Sequence, residues 1–348
     1  MKSNPLSTTG FLLASAASLG NVGFDVTAKK ALNGNDFLRT TLKIRSLVAL
    51  LLSVALLLLW FYTPVRPNVA LYRDGLAGLL HGRVALVLFL STGMVTASIL
   101  LYYRSLQIAP LSLVAPLFGL TPVFLLITGY LFFRHLPSAR VIVGVFCILL
   151  GSLLAYWRPS TPSAASVLAM FLREKGVRMM LGACVLLSIT NLLDQWLVRQ
   201  LDVLTYAWLY VVLCALFTGI LVLIVKPAKA SAQTSAKWFV VASAIDTCVL
   251  LLHFASLQYV DAVVTIAIKR SGMLLSVLAG SLLFKELHGA QRLAAALVVL
   301  MGVFIMYFDF RLWALCAMCG VAAIASGVAI FRARVSPEPD QAFQATLL

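Results

Sequence analysis

The chain has 348 residues, of which 62% are apolar and only 11% charged, and its mean hydropathy is +1.01. Soluble domains run nearer half apolar and a quarter charged, which excludes a water-soluble enzyme. The net charge of +15, from 27 Lys/Arg against 12 Asp/Glu, sits mostly in short gaps between apolar runs. No dense basic tract is interleaved with aromatics, so it points to membrane topology and anionic lipid headgroups, and away from nucleic acid.

Apolar runs predict an all-α integral membrane protein with helices over about 9–30, 42–62, 84–106, 110–133, 139–157, 177–199, 204–225, 237–258, 261–284, 289–308 and 312–331. The opening MKSNPLSTTGFLLASAASLG reads as a first span retained in the mature protein. Two longer gaps, 63–83 and 158–176, carry Pro, Gly or Ser with Arg and read as surface loops; the second separates two groups of five helices. The polar tail 335–348 reads as disordered. The six cysteines fall inside apolar runs, where a free thiol behaves as a small apolar group. Cys316 and Cys319 lack the second pair or nearby His that a zinc site needs, so no metal, cofactor or disulfide is expected.

The chain repeats itself. At an offset of 151, Ser105-Leu106-Gln107 meets Ser256-Leu257-Gln258, and Gly129, Leu131, Phe133, Leu136, Ala139, Gly151 and Tyr156 meet identical residues. At an offset of 170, Asn21, Asp25 and Lys29 meet Asn191, Gln195 and Arg199, each set on one helix face. Two copies of an odd-numbered unit enter the membrane from opposite sides. Inverted repeats of this kind mark transporters, with the substrate near the midplane where the copies meet.

The two units resemble the EamA-type domains of the drug/metabolite transporter superfamily. The likeness rests on Ala109-Pro110 through Pro116 and Pro122, the Phe133-Arg134 end, Ile268-Lys269-Arg270-Ser271, Phe284-Lys285-Glu286, Lys30, and Arg45 opening the second helix. The resemblance implies a ten-helix transporter of small metabolites or drugs, with one five-helix repeat at 9–157, the second at 177–308, and the site between them. Helix 312–331 is extra to that plan.

A charge at the centre of a span costs at least ~2.5–3.5 kcal/mol, so intramembrane ionisable groups mark sites by default. The candidates are Asp25, Asp194, Asp246, His253, Lys269 and Arg270. Lys269 and Arg270 lie about 13 Å along their run, too deep for easy snorkelling. The small polar stripe Thr265, Lys269, Gly272, Ser276 and Gly280 turns that face to the bundle interior. Two adjacent cations need an anion: a substrate's carboxylate or phosphate, or Asp246 or Asp194 of the protein. The repeat maps Lys269 and Arg270 onto Phe118 and Gly119, between Pro116 and Pro122, which are expected to kink their helix. Asn21, Asp25, Asn191, Asp194 and Gln195 form a second layer of candidate substrate contacts. Asp25, Asp194, Asp246 and His253 are candidates for proton coupling, the last two as an i, i+7 relay. Asp25 and Lys29 can also neutralise each other. Trp196, Trp208, Tyr206 and Tyr210 read as an interfacial belt, and Gly20, Gly23, Gly144, Gly151 and Gly302 as close helix contacts.

No G-x-x-x-x-G-K-[ST], HExxH or GxSxG occurs, so no ATPase or catalytic residue is expected. The sequence therefore predicts a secondary transporter, monomeric, in the cell (inner) membrane, moving an anionic or zwitterionic small molecule among membrane lipids. Its rivals are a flippase or membrane enzyme acting on an anionic headgroup, and a non-transporting sensor. Outside Arg45, Lys269 and Arg270, eight Lys/Arg lie on the N-terminal side and sixteen opposite. That tally puts the N-terminus outside, whereas the resemblance implies a cytosolic one; cysteine labelling of residue 2 decides.

Overall fold

The structure, a computed structural model, describes residues 7–32, 35–61, 69–79, 82–108, 119–134, 137–156, 174–227 and 236–269, with 272, 298, 301, 302 and 305. Among them there is helix and no strand. The helices are α1 (Thr8–Leu32), α2 (Phe37–Phe61), α3 (Ala70–Leu79), α4 (Gly82–Ile108), α5 (Thr121–Phe133), α6 (Ala139–Tyr156), α7 (Lys175–Gln200), α8 (Val203–Val225) and α9 (Ala236–Tyr259), followed by a helical segment, 262–269. The span 312–331, the tail 335–348, most of 289–308, and Arg270, Ser276, Phe118 and Pro116 lie outside the described residues, as do the side chains of Asp25 and Lys29.

Helix is the form in which an apolar segment satisfies its own backbone in lipid. Five described stretches are long and apolar enough to cross a membrane: Phe37–Phe61, Gly82–Tyr102, Lys175–Gln200, Val203–Val225 and Ala236–Tyr259. Several of their buried hydroxyls bond the carbonyl one turn back, as Thr92 does to Leu88 (2.7 Å), Thr218 to Cys214 (2.7 Å) and Ser243 to Phe239 (2.7 Å). The outer faces carry Leu57, Leu58, Phe61, Leu86, Ile127, Phe132, Leu216, Leu223 and Ile224, all exposed. That much large apolar surface suits a protein bathed in acyl chains.

Two predicted boundaries are corrected. The loop 63–83 contains α3, a short helix broken at Gly75 (φ 66°); its Ala70 and Leu79 are buried, but the Arg, Asp and Gly between them read as loop. Helix α2 starts five residues before the predicted apolar run. Asp36 caps it, its Oδ1 accepting from Leu38 N (2.9 Å) and Arg39 N (3.2 Å), so the polar turn is helical too. The predicted helix 110–133 is described from Thr121 only, after a Gly119-Leu120 turn. Pro122 therefore stands in the first turn of α5, where its missing N–H costs nothing.

The helices pair across the repeats. α1 lies along α9, α4 along α7, and α2 along α8. Contacts fix the directions. Gly10 of α1 faces Val260 and Gly20 faces Val249, so α1 and α9 run antiparallel. Ser105 donates to Gly176 O (2.8 Å) while Ser91 reaches Asp194, so α4 and α7 do too. Leu42 meets Gly219 (3.8 Å from an added Cβ) while Trp208 Nε1 donates to Ser53 Oγ (2.9 Å), so α2 and α8 follow suit. The expectation of close helix contact holds at Gly20, whose added Cβ would come within 2.5 Å of Val249, and at Gly302, where it would lie 2.7 Å from Gly144 O.

Candidate functional site

The helix pairs leave a cavity of about 210 Å³ among α1, α2, α4, α7, α8, α9, the segment 262–269 and Gly272. Its wall draws on both halves of the chain, and its polar groups fall into two clusters.

The first is an ion pair. Arg45, two turns into α2, donates from Nη1 to Asp246 Oδ2 of α9 at 2.7 Å. The side chains are only 14% and 9% exposed, so each charge depends on the other.

The second is built round Asp194 of α7. Its Oδ1 accepts from Ser91 Oγ of α4 and Tyr206 Oη of α8, both at 2.6 Å. Both donors converge on one oxygen of a residue that lines the cavity. Tyr206, Tyr210 and Phe254 form an aromatic cluster behind it, with centroids 4.6 Å (Tyr206–Phe254) and 5.2 Å (Tyr210–Phe254) apart. Lys269 faces the same cavity from the segment 262–269. Two cations and two carboxylates thus share one cavity, beside the apolar and aromatic surfaces of Phe24, Val95, Tyr102 and Phe254.

Of the residues predicted from sequence, Asn21, Asn191, Asp194, Asp246, His253 and Lys269 come together on this wall. Asn21 and Asn191, equivalent in the two repeats, face it from opposite halves. Asn191 Nδ2 donates to Leu187 O (2.5 Å), whereas Asn21 Nδ2 has no partner among the described residues. Gln195 stands apart: it donates to Val260 O (3.3 Å) and accepts from Ala262 N (3.4 Å), fastening the turn that starts segment 262–269. Arg199 reaches Asp261 in the same turn (3.8 Å). Thr265 is buried but is not a lining residue; the lining face of its segment is Ile266, Lys269 and Gly272.

The two carboxylates expected to answer the deep cations each have other partners as well. Asp246 is held by Arg45, and Asp194 by two hydroxyls. The aromatic belt is corrected as well. Tyr206 and Tyr210 are buried, one bonded to Asp194 and the other on the cavity wall, because they project from α8 toward α9. Sequence reasoning missed Ser91, Ser98, Tyr102 and Phe254. The signal was there for the α4 residues: Ser91, Val95, Ser98 and Tyr102 fall at i, i+4, i+7, i+11, one polar-tinged stripe in an apolar helix.

Lys269 is positioned by a close helix crossing. Ser18 Oγ of α1 donates to Ile268 O (3.1 Å) and Lys269 O (3.2 Å). Gly272 sits against the same residue, and a Cβ there would overlap Ser18 Oγ and lie 2.8 Å from Ser18 O. A backbone atom cannot step aside as a side chain can. Gly272→Ala is expected to destabilise the protein by about 1–3 kcal/mol. Ser18→Ala should recover only part of it, because the hydroxyl overlap is relieved and the carbonyl remains. Full rescue in thermal unfolding would show that the hydroxyl alone is the obstacle.

Among the described residues no group of three His, Cys, Asp or Glu is placed to hold a metal ion. The wall offers charge and shape: opposite charges to orient a small molecule and aromatic faces to cover its apolar part.

Comparison with known proteins accords with this architecture. Twenty-nine chains of solved structures match the fold. One of them, a crystal structure of a protein, superposes with a TM-score of 0.64 at 12% identity, over 86% of this chain and 96% of that one. At that identity the likeness is one of fold alone. No curated protein sequence matches. The model of the EamA-like transporter family matches twice, at residues 8–157 and 174–308. Two matches over most of an apolar helical chain make this a multi-pass integral membrane protein, and the chain belongs to the EamA-like transporter family.

Proposed function

We propose that the protein is a secondary transporter. Two inverted five-helix halves rock about the central cavity and move a small anionic or zwitterionic metabolite or drug across the cell (inner) membrane by alternating access. The observation that carries this reading is a cavity walled by both halves with ionisable groups buried in it, an arrangement costly in lipid and retained for transport. The antiparallel course of α2 and α8, which hold equivalent places in the two repeats, supports the inversion. No ATP-binding motif occurs, so a gradient or exchange supplies the energy.

In this reading Lys269, with Arg270 beside it in sequence, draws in the negative part of the substrate. Asn21, Asn191 and Asp194 contact its polar parts, with Phe118, Thr265, Ser276, Asp25 and Gln195 as further candidate contacts. Asp194 is the first candidate for proton coupling, with Asp25, Asp246 and His253 behind it. The test is uptake of radiolabelled anionic, zwitterionic and cationic metabolites into proteoliposomes. Lys269→Ala is expected to cut flux of the accepted substrate at least about tenfold, the loss of one buried charge-assisted contact. Unchanged flux in that variant excludes the anchor role.

A further inference from the structure

Helices α2 and α8 begin in the same way. Asp202 Oδ1 accepts from Leu204 N (2.9 Å) and Thr205 N (3.0 Å), as Asp36 Oδ1 accepts from Leu38 N and Arg39 N. At an offset of 166, cap meets cap: Asp36 with Asp202, Leu38 with Leu204, Arg39 with Thr205. Because the two helices are antiparallel, these equivalent turns fall at opposite ends of one seam.

Each turn then grips the other half of the chain. At one end Arg39 donates through Nε (3.2 Å) and Nη2 (2.8 Å) to Pro227 O, two residues past the end of α8. At the other, Ala70 N donates to Asp202 Oδ2 (2.8 Å) and Leu71 N to Thr205 Oγ1 (3.2 Å), in the first turn of α3, which follows α2. One carboxylate thereby caps two helices, one from each half. Position 39 and its counterpart 205 make the corresponding grip at the two faces with different chemistry: a guanidinium on a carbonyl, and a hydroxyl on an amide. Tyr72 Oη, donating to Leu56 O, and the edge of Trp60 against Tyr72 tie α3 back to α2. Trp208 to Ser53 holds the seam between the grips.

A contact that gates one membrane face must open when the opposite face closes. Here both faces of one seam are fastened at once, by residues that duplication has placed symmetrically. We propose that the α2–α8 seam is the hinge of the transporter: it stays pinned at both faces by the Arg39–Pro227 and Asp202/Thr205–Ala70/Leu71 grips while the halves rock, and access opens along the other walls of the cavity. The inference rests on the alternating-access reading above.

The test uses the full chain with its six cysteines replaced. One variant carries Leu71→Cys with Val203→Cys, the other Phe37→Cys with Lys226→Cys, beside the grips and leaving their bonding groups in place, each bridged by a bifunctional thiol reagent. For a hinge, bridging either face leaves flux within about twofold of the unbridged variant, since the bridged groups do not separate in the cycle. A loss of tenfold or more at either face makes that end a gate and overturns the proposal.

A second measurement does not depend on flux. Spin labels on the same two pairs should give one narrow distance each, while Thr9→Cys with Gln200→Cys and Lys30→Cys with Arg104→Cys, across other walls, should each give two. Two distances at a seam pair overturn the hinge while leaving alternating access standing. Single distances everywhere, with no flux of any substrate, overturn the transport reading and the hinge with it.

Discussion

Arg45→Ala is expected to destabilise the protein by about 3–5 kcal/mol, the cost of leaving one member of a buried ion pair without the other. At 2.7 Å and an effective dielectric constant of about 20, the attraction is about 6 kcal/mol. Desolvating each ion costs several kcal/mol, so the intact pair comes close to break-even. The large effect therefore belongs to the single mutant, in which Asp246 keeps its desolvation cost and loses its compensation. Asp246→Ala should cost a similar amount by stranding the guanidinium. The double variant Arg45→Ala/Asp246→Ala should cost well under the sum, with a coupling energy of up to about 3 kcal/mol. Arg45→Lys should recover only part of the loss, because an ammonium on a differently shaped stem does not reproduce a guanidinium contact. Equilibrium unfolding of the four proteins in one detergent closes the cycle; strict additivity would falsify the pairing. Because the pair links α2 of the first half to α9 of the second, flux should fall with stability in the single variants.

The balance between what could be read in the chain and what could not follows from the physics of spans. Apolar run length marks helices in lipid directly, and α4, α6, α7, α8 and α9 lie within a few residues of their predicted limits. It is silent about turns that are polar yet helical, which is why the Asp36 cap and α3 were missed. Depth marks ionisable groups equally well: Asp194, Asp246, His253 and Lys269 were singled out for cost alone, and all four line the cavity. Partnership is another matter. Nothing in the order of residues says that Arg45 reaches Asp246, 201 positions away, or that Asp194 takes hydroxyls from Ser91 and Tyr206. Those choices are made by crossing angles between helices, which sequence periodicity does not fix. The same limit explains Gln195: it shares a helix face with Asn191, but a turn of helix carries it from the cavity to the 260–262 turn.

Asp194→Asn is expected to leave the fold standing and remove the response of transport to a proton gradient. The amide oxygen can accept the same two hydrogen bonds from Ser91 and Tyr206 that Oδ1 accepts now, so no buried hydroxyl is stranded. What is lost is the one group of this cluster that can take up and release a proton within the cavity; the tyrosine and serine donate to it, and Lys269, His253, Asp246 and Arg45 face the same space. Asp194→Ala makes the complementary case. It strands both donors in a buried site, at about 1–3 kcal/mol each, and should lower stability where the asparagine variant does not. Tyr206→Phe, which removes one donor and leaves the carboxylate, should shift the pH at which flux is half-maximal while keeping the response to the gradient. Flux in proteoliposomes with and without an imposed pH difference separates the cases. An asparagine variant that still follows the gradient assigns coupling to another carboxylate or to His253; one that transports at a rate indifferent to it, with wild-type thermal stability, makes Asp194 the coupling group.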